Sequence, residues 1–152
     1  MSLSQTLSRL NVTLPAVAGP FGAYVPARRV GNLVFVAGQL PMRDGKLLVT
    51  GPVPSRTGVD DAATAARQCV INGLAAAATV LPGVDAIVGV VRVGVFVASD
   101  PTFTAQPKVA NGASEFLVEL LGDAGKHARA AVGVNTLPRD ASVEIEVIFE
   151  AK

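Results

Sequence analysis

The sequence predicts an α+β fold in which two long helices cover one face of a mixed, mostly antiparallel sheet. Helical periodicity is present in residues 60–80 and 108–121, and each segment follows a stretch rich in Val, Ile and Phe that is typical of strands. Two further strand-like stretches end the chain. Because separate runs of strands and helices favour helices packed against a sheet, we expect a two-layer sandwich.

The composition favours a single domain that covers part of its surface with another copy of itself. The chain has 152 residues, of which 50% are hydrophobic and 16% are charged. That length can bury a substantial core, and the apolar surplus indicates a subunit interface on the open face of the sheet. The longest apolar run, residues 86–98, contains Arg92 and is too short to span a bilayer. We therefore expect no membrane partner and a cytoplasmic location.

The charged and metal-ligating residues exclude two classes of function. Thirteen basic and twelve acidic residues give a net charge of +1 without a basic stripe, so we do not expect nucleic-acid binding. The single cysteine, Cys69, and the single histidine, His127, cannot form a cluster with metal-ligand spacing. We expect Cys69 to be a small buried residue of a helix and His127 to be an exposed residue ahead of a strand.

The first third of the chain predicts a short helix, a loop and strands. Three leucines at helical spacing predict a helix over residues 2–10, and the Gly- and Pro-rich residues 15–26 predict a loop. Residues 28–39 predict one buried strand that ends at Gly38, where the missing side chain would let another backbone or a ligand approach. A turn and a short return strand over residues 46–50 should follow.

The central elements alternate helix, strand and helix. The helix at 60–80 begins with two aspartates, which favour the positive end of its dipole, and its small apolar residues should pack close to a sheet. Residues 84–98 predict a long strand in which Arg92 is the lone charge, and we expect this arginine to be paired within an oligomer. Pro107 should delay the second helix to 108–121.

The C-terminal residues 128–149 predict a hairpin with arms at 128–135 and 141–149. Arg129 interrupts an apolar run, and Glu144 alternates with apolar residues. One interpretation is an edge-strand arginine and a solvated glutamate face. The other is that Arg129 binds an anion while Glu144 handles a proton or a water. At roughly 3.3 Å per residue, a hairpin would offset them by on the order of 13 Å along its arms.

Two segments carry a family resemblance: GNLVFVAGQLP at residues 31–41 and ARAAVGVNTLPRDASVEIEV at residues 128–147. The second is specific, because Leu-Pro follows its first arginine by eight residues and a Glu-hydrophobic-Glu motif comes after it. Both closely resemble the YjgF/RidA family of reactive intermediate deaminases, also named endoribonuclease L-PSP. The resemblance extends from about Gly19 to the end of the chain. It makes residues 1–152 one domain, with residues 1–14 as an N-terminal extension.

The resemblance implies a fold, an assembly and a reaction. It implies a chorismate-mutase-like α+β fold, a homotrimer with clefts between its subunits, and hydrolysis of 2-imino acids to 2-oxo acids and ammonia without a cofactor or a metal. Arg129 would bind the substrate carboxylate and Glu144 would position the water. The other substrate-binding positions carried over by the resemblance are Tyr24, Gly38, Asn111 and Ala131.

Departures from the family pattern keep other hypotheses open. Ala37 and Ala131 stand where the family often has serine and cysteine. Tyr24 could instead cap the core, and Asn111 could make a helix-start or interface hydrogen bond. The protein could also be a regulatory module that binds a small 2-oxo carboxylate without turnover. A ribonuclease or translation inhibitor is disfavoured by the lone His127 and the few aromatic residues.

Overall fold

A five-stranded mixed sheet carries the fold. The computed structural model describes residues 1–17 and 22–152. In chain order, the strands are β1 (Ala27–Val30), β2 (Leu33–Gln39), β3 (Met42–Arg43), β4 (Lys46–Leu47), β5 (Ile87–Ala98), β6 (Ala128–Val134) and β7 (Val143–Ala151). The sheet order is β1-β2-β7-β5-β6, and β5 and β6 are the parallel pair. The other three pairs are antiparallel, while β3 and β4 form a separate ribbon.

Two of the α-helices in the described residues form the second layer. The helices are α1 (Leu3–Arg9), α2 (Val59–Ala78) and α3 (Gln106–Leu121). Helix α2 packs on β2 and β7, α3 packs on β5 and β6, and the two helices pack on each other. Where they meet, Gly112 lies against the backbone carbonyl of Ala63, a contact that a larger residue would block. The predicted α+β sandwich, with both long helices on one face, is confirmed.

The ends of two elements differ from the prediction for local reasons. Helix α3 begins at Gln106 because Pro107 lies in its first turn, where a backbone N–H has no helical acceptor. The prediction that Pro107 delays the start of this helix to residue 108 is therefore wrong. Strand β5 begins at Ile87, since Val84–Ala86 form a 3-10 turn.

The strand predicted over residues 28–39 is in fact a hairpin. Gly31 and Asn32 form a two-residue turn between β1 and β2, and Gly31 has a φ of 60°. A positive φ at the first turn residue suits glycine and joins antiparallel strands tightly. The turn that joins β3 to β4 is equally short, with Asp44 and Gly45 at φ 52° and 76°.

The predicted C-terminal hairpin is wrong. Strands β6 and β7 lie on either side of β5 and do not pair with each other. Helix α3 connects β5 to β6, and such a crossover makes β6 parallel to β5. The chain then crosses the end of β5 through a 3-10 turn at Pro138–Asp140, where Arg139 and Asp140 have φ values of 59° and 61°. This connection places Arg129 on β6 and Glu144 on β7 at opposite edges of β5.

The sheet has one buried face and one open face. Positions that face the helices, such as Val93 and Ile145, are fully buried, as is Cys69 on α2, as predicted. On the other face, Phe35 is 43% exposed and Val132 is 45% exposed. The open face is therefore rich in accessible apolar side chains.

The N-terminal residues form the predicted short helix. Ser2 caps α1 through a capping box with Gln5, and Leu3 and Leu7 are buried. The backbone N–H and the hydroxyl of Ser4 donate to the Asp85 carboxylate at 2.7 and 2.8 Å, so this carboxylate ties α1 to the start of β5.

The predicted loop is only partly described. Residues 15–17 and 22–26 belong to no helix or strand, and the Gly19-Pro20 part of the prediction lies outside the described residues. Among the helices of residues 1–17 and 22–152, none is long and apolar enough to cross a bilayer.

We expect Asp85→Asn to release α1 from the sheet. The hydrogen bonds from the Ser4 backbone and hydroxyl lower the pKa of Asp85 below 3.8. A carboxylate with a depressed pKa stabilises the fold above its unfolded-state pKa, and that contribution disappears as the pH falls through the folded-state value. The variant should therefore be less stable than the original protein at pH 7, and the difference in Tm should shrink below about pH 4.

Hydrogen exchange of the α1 amides and Tm measured against pH check this expectation. Asp44→Asn is the matched control, because it removes a carboxylate from a turn whose positive φ asparagine tolerates. Equal α1 protection in Asp85→Asn and Asp44→Asn at pH 7 would contradict the anchoring role.

Candidate functional site

Arg129 lies on the edge strand β6 and is held by two residues of α3. Its Nη1 donates to Asn111 Oδ1 at 2.9 Å and to Ser114 Oγ at 3.0 Å. Asn111 and Ser114 are three residues apart, so they lie on the same face of the helix. Among the described residues, Nε and Nη2 have no hydrogen-bond partner. One edge of the guanidinium is therefore available for two parallel hydrogen bonds to a carboxylate.

Asn111 contacts Arg129 from the middle of α3. It lies inside α3, and its amide oxygen orients Arg129. A hydrogen bond at the start of the helix, one of the alternatives for this residue, is therefore not what the structure contains.

Glu144 projects from the opposite face of the sheet. Across the strands, Arg129 is in register with Val93, which is buried under the helices, whereas Glu144 is in register with Phe96 on the open face. Neighbouring residues on paired strands point to the same face, so Arg129 and Glu144 point to different faces.

The spacing of the strands also separates the two residues. The register places them three residues apart along β5, with β5 itself between their strands. At roughly 3.3 Å per residue and 4.8 Å per strand, their Cα atoms are about 14 Å apart. The offset of Arg129 and Glu144 along a hairpin, expected from the sequence, is therefore wrong, because the two residues are separated diagonally across β5. A single chain does not bring them together.

The Glu144 carboxylate lies over Gly38 of β2. A Cβ atom at Gly38 would occupy the position of Glu144 Oε1. The close approach predicted at this glycine is thus made by a side chain of the same protein. Gly38 falls where the register of β2 and β7 shifts between Val36 and Gln39. Burial, and then the charge of Glu146, raises the pKa of Glu144 above 4.5.

A second glycine and glutamate repeat this arrangement. A Cβ atom at Gly94 of β5 would lie 2.9 Å from Glu146 Cγ. Glu146 also pairs with Arg92 of the same chain at 3.1 Å, on the open face. Glu144 has no such cation among the described residues, which distinguishes the two carboxylates.

The remaining predicted positions lie in different parts of the fold. Ala131 is half-buried on β6 and shares the face of Arg129. Ala37 is half-buried on β2, and its carbonyl accepts a hydrogen bond from Gln39. Tyr24 precedes β1, the edge strand opposite β6, and is 57% exposed, so it does not cap the core.

Two residues beside Arg129 were not predicted as parts of the site. Ser114 Oγ lies 3.0 Å from His127 Nε2, and His127 Nδ1 lies 2.7 Å from the carbonyl oxygen of Gly125. His127 is half-buried, so the prediction of an exposed residue before a strand is wrong. We call Asn111, Ser114, His127 and Arg129 the Arg129 cluster. The spacing of Asn111 and Ser114 on one helix was the available sequence signal.

Metal binding has no candidate site in the described ranges. Within residues 1–17 and 22–152, no group of three or more His, Cys, Asp or Glu side chains could hold a metal ion.

We expect Gly38→Ala to move the Glu144 carboxylate without unfolding the protein. The new methyl group would take the place of the flexible end of Glu144, and the Gly38 backbone has no positive φ that would exclude alanine. The pKa of Glu144 should then fall toward 4.5 as the carboxylate moves into solvent, while Tm should change little.

A 13C NMR titration of the glutamate carboxyl groups measures this change, with Glu144→Gln used to assign the resonance. Gly94→Ala is the matched control, because it displaces Glu146. The charge of Glu146 raises the pKa of Glu144 less than burial does, so this variant should change the pKa of Glu144 less than Gly38→Ala does. An unchanged titration of Glu144 in Gly38→Ala would show that the contact has no electrostatic role.

Comparisons with known proteins agree with this architecture. Residues 15–151 match the family model described as endoribonuclease L-PSP. The chain is 38% identical to Protein TCP17 of Trypanosoma cruzi, over 97% of this chain and 93% of that protein. It is 30% identical to a 2-iminobutanoate/2-iminopropanoate deaminase of Dermatophagoides farinae, over 90% and 92% of the two chains.

A solved structure supports the same assignment. The protein Atu1372 of Agrobacterium tumefaciens, whose function is described as unknown, superimposes with a TM-score of 0.89 at 43% identity. The match covers 99% of this chain and 92% of that one. The chain therefore belongs to the endoribonuclease L-PSP family, which is the YjgF/RidA family that its motifs resemble.

Proposed function

We propose that this protein hydrolyses small 2-imino acids to 2-oxo acids and ammonia. The observation that carries the proposal is the Arg129 guanidinium, which α3 holds in place while its Nε and Nη2 atoms have no partner among the described residues. The similarity to a protein named as a 2-iminobutanoate/2-iminopropanoate deaminase supports this choice of substrate.

The guanidinium suits one end of such a substrate. A 2-imino acid has a carboxylate next to its electrophilic C=N carbon. Two parallel hydrogen bonds from Arg129 would fix both the position and the plane of that carboxylate. Because Asn111 and Ser114 already orient Nη1, little side-chain entropy remains to be lost when the substrate binds.

Glu144 suits the other end of the reaction. Its raised pKa makes it a better proton acceptor than an ordinary carboxylate. In the proposed reaction, Glu144 takes a proton from water as the water oxygen bonds to the imine carbon. It then returns that proton to the nitrogen, so that a carbinolamine with a hydroxyl and an amino group on the same carbon forms. Glu144 next takes the proton of that hydroxyl group and passes it to the amino group, the C–N bond breaks, ammonia leaves and the C=O bond of the 2-oxo acid forms. Positioned acid-base help of this kind accelerates a reaction by about 10²- to 10⁴-fold.

The two groups come from different copies of the chain in this proposal. Arg129 lies at the β6 edge, and Glu144 lies on the open face, so one protomer cannot place both around a small substrate. The exposed Phe35 and Val132 on that face favour its coverage by neighbouring protomers. A closed homotrimer would then set Arg129 of one protomer beside Glu144 and Gly38 of the next.

A binding module without catalysis is the second candidate. The Arg129 cluster is complete within one chain, so the capture of a small carboxylate does not require Glu144. Such a protein would bind 2-oxo acids and leave 2-imino acids unchanged. The endoribonuclease named in the family description is a weaker candidate, because the net charge is +1 and the chain has one histidine.

We expect the protein to accelerate 2-oxo acid formation from 2-iminobutanoate generated enzymatically, in competition with semicarbazide trapping of the imine. Arg129→Ala should raise KM, and Glu144→Gln should lower kcat by roughly 10²- to 10⁴-fold. Glu150→Gln is the matched control, since it is another glutamate of β7. No acceleration by the original protein, or equal acceleration by Arg129→Ala, would exclude the deaminase. Ligand binding without turnover would favour the second candidate.

We expect mixed oligomers to regain activity if the cleft is shared. The test co-expresses Arg129→Ala subunits and Glu144→Gln subunits in equal amounts. A cleft is complete only where a Glu144→Gln subunit supplies Arg129 and its Arg129→Ala neighbour supplies Glu144. Random assembly of a closed trimer would restore about a quarter of the original activity. A mixture that stays as inactive as its parents, although native mass spectrometry shows mixed oligomers, would place both groups in one chain's site.

The pH dependence of kcat/KM tests Glu144 as the base. Activity should fall as the pH drops through the raised pKa of Glu144, because the protonated acid cannot accept a proton. Glu146→Gln removes one cause of that shift and frees the Arg92 cation, so the acidic limb should move to lower pH. An acidic limb that is the same in Glu146→Gln and Glu150→Gln would argue against this assignment.

A further inference from the structure

We propose that Ser114 and His127 form a hydrogen-bond relay that positions Arg129 for carboxylate binding. This inference rests on the proposed function for its ligand, but the geometry of the relay is independent of turnover. Ser114 contacts Arg129 directly, and His127 is connected to it through the Ser114 hydroxyl oxygen. Both lie on the side of the guanidinium that faces α3.

The direction of each hydrogen bond in the relay follows from the Gly125 carbonyl. A carbonyl oxygen can only accept, so His127 Nδ1 carries the hydrogen of the 2.7 Å contact. In the neutral ring, Nε2 is then an acceptor, and the Ser114 hydroxyl donates to it at 3.0 Å. This leaves the lone pairs of Ser114 Oγ to accept from Arg129 Nη1 at 3.0 Å. The three hydrogen bonds of the relay, from Arg129 to Ser114, from Ser114 to His127 and from His127 to Gly125, thus each join a donor to an acceptor.

Both ends of the relay are fixed to α3. Ser114 belongs to that helix, and Gly125 follows it in a 3-10 turn. The Gly125 Cα packs so closely on the Leu117 carbonyl that a Cβ atom there would overlap it. The carbonyl that sets the His127 tautomer is therefore anchored to the same helix as the hydroxyl that orients Arg129.

The relay explains why a half-buried histidine is useful next to an arginine. A hydroxyl that rotates freely can present either its hydrogen or a lone pair to its neighbours. With His127 Nε2 as its acceptor, the Ser114 hydrogen points away from Arg129 and its lone pairs face the guanidinium. His127 acts through Ser114, so it is a positioning residue and not a catalytic one.

A ligand-free measurement tests the relay first. In 15N NMR spectra, Arg129 should show slow rotation of its guanidinium and His127 should be the Nδ1–H tautomer. Ser114→Ala and His127→Leu should both speed that rotation. His127→Gln, whose amide oxygen can accept from Ser114, should restore slow rotation, and the exposed Glu115→Ala on α3 is the control. Unchanged Arg129 rotation in Ser114→Ala and His127→Leu would overturn the proposal.

Binding of 2-oxobutanoate and turnover of 2-iminobutanoate test the consequence. Ser114→Ala and His127→Leu should raise Kd and KM by about 3- to 10-fold with little change in kcat, and His127→Gln should behave like the original protein. In an Arg129→Ala background, Ser114→Ala should have no further effect, because its role passes through Arg129. Additive losses would overturn the relay and indicate a general structural role.

The outcomes separate this inference from the deaminase proposal. Absence of turnover with intact 2-oxobutanoate binding and a measurable relay would exclude the deaminase and retain the relay. Covalent labelling of Ser114 by a fluorophosphonate would overturn the relay, because it would make the Ser114–His127 pair a nucleophile and base instead.

Discussion

Strand β5 pairs along both of its edges, and this double pairing determines where the charged candidates Arg129 and Glu144 lie. Its antiparallel partner β7 carries Glu144 and Glu146, and its parallel partner β6 carries Arg129. Residues in register share a face, so the pairing fixes the face and the height of each charge without any contact between β6 and β7. Helix α3 makes the parallel pairing possible and also supplies Asn111, which orients Arg129.

Much of the fold was predictable because it depends on local periodicity. The apolar pattern of α2, the strand composition of β5 and the stop at Gly122 are properties of neighbouring residues, and the structure contains them close to the predicted positions. The two strand errors have different causes. The Gly31-Asn32 turn is a local signal of a hairpin, because its glycine suits a positive φ. The separation of β6 from β7 instead depends on the α3 crossover, which no local pattern in residues 128–149 records.

The candidate site was predictable only in part, for a related reason. Arg129 and Glu144 were found through their contrast with apolar surroundings and through the family motif, and Asn111 through the motif. Their separation depends on the order of the strands in the sheet, which the local sequence pattern does not record. Ser114 and His127 are ordinary residue types at unremarkable positions, and their connection arises only when β6 docks beside α3. Tertiary contact, and not composition, makes them neighbours of the guanidinium.

The opposite orientations of Arg129 and Glu144 would link chemistry to self-association. If each cleft takes one group from each of two protomers, a dissociated chain has no complete cleft. Specific activity would then decline on dilution, and any ligand held between two protomers would in turn strengthen the assembly. In a closed ring each protomer also serves two clefts, one with its arginine and one with its glutamate. A chain that lacks only one of the two groups would therefore silence one of the two clefts that it borders and leave the other complete, so the loss of activity would follow the number of damaged clefts.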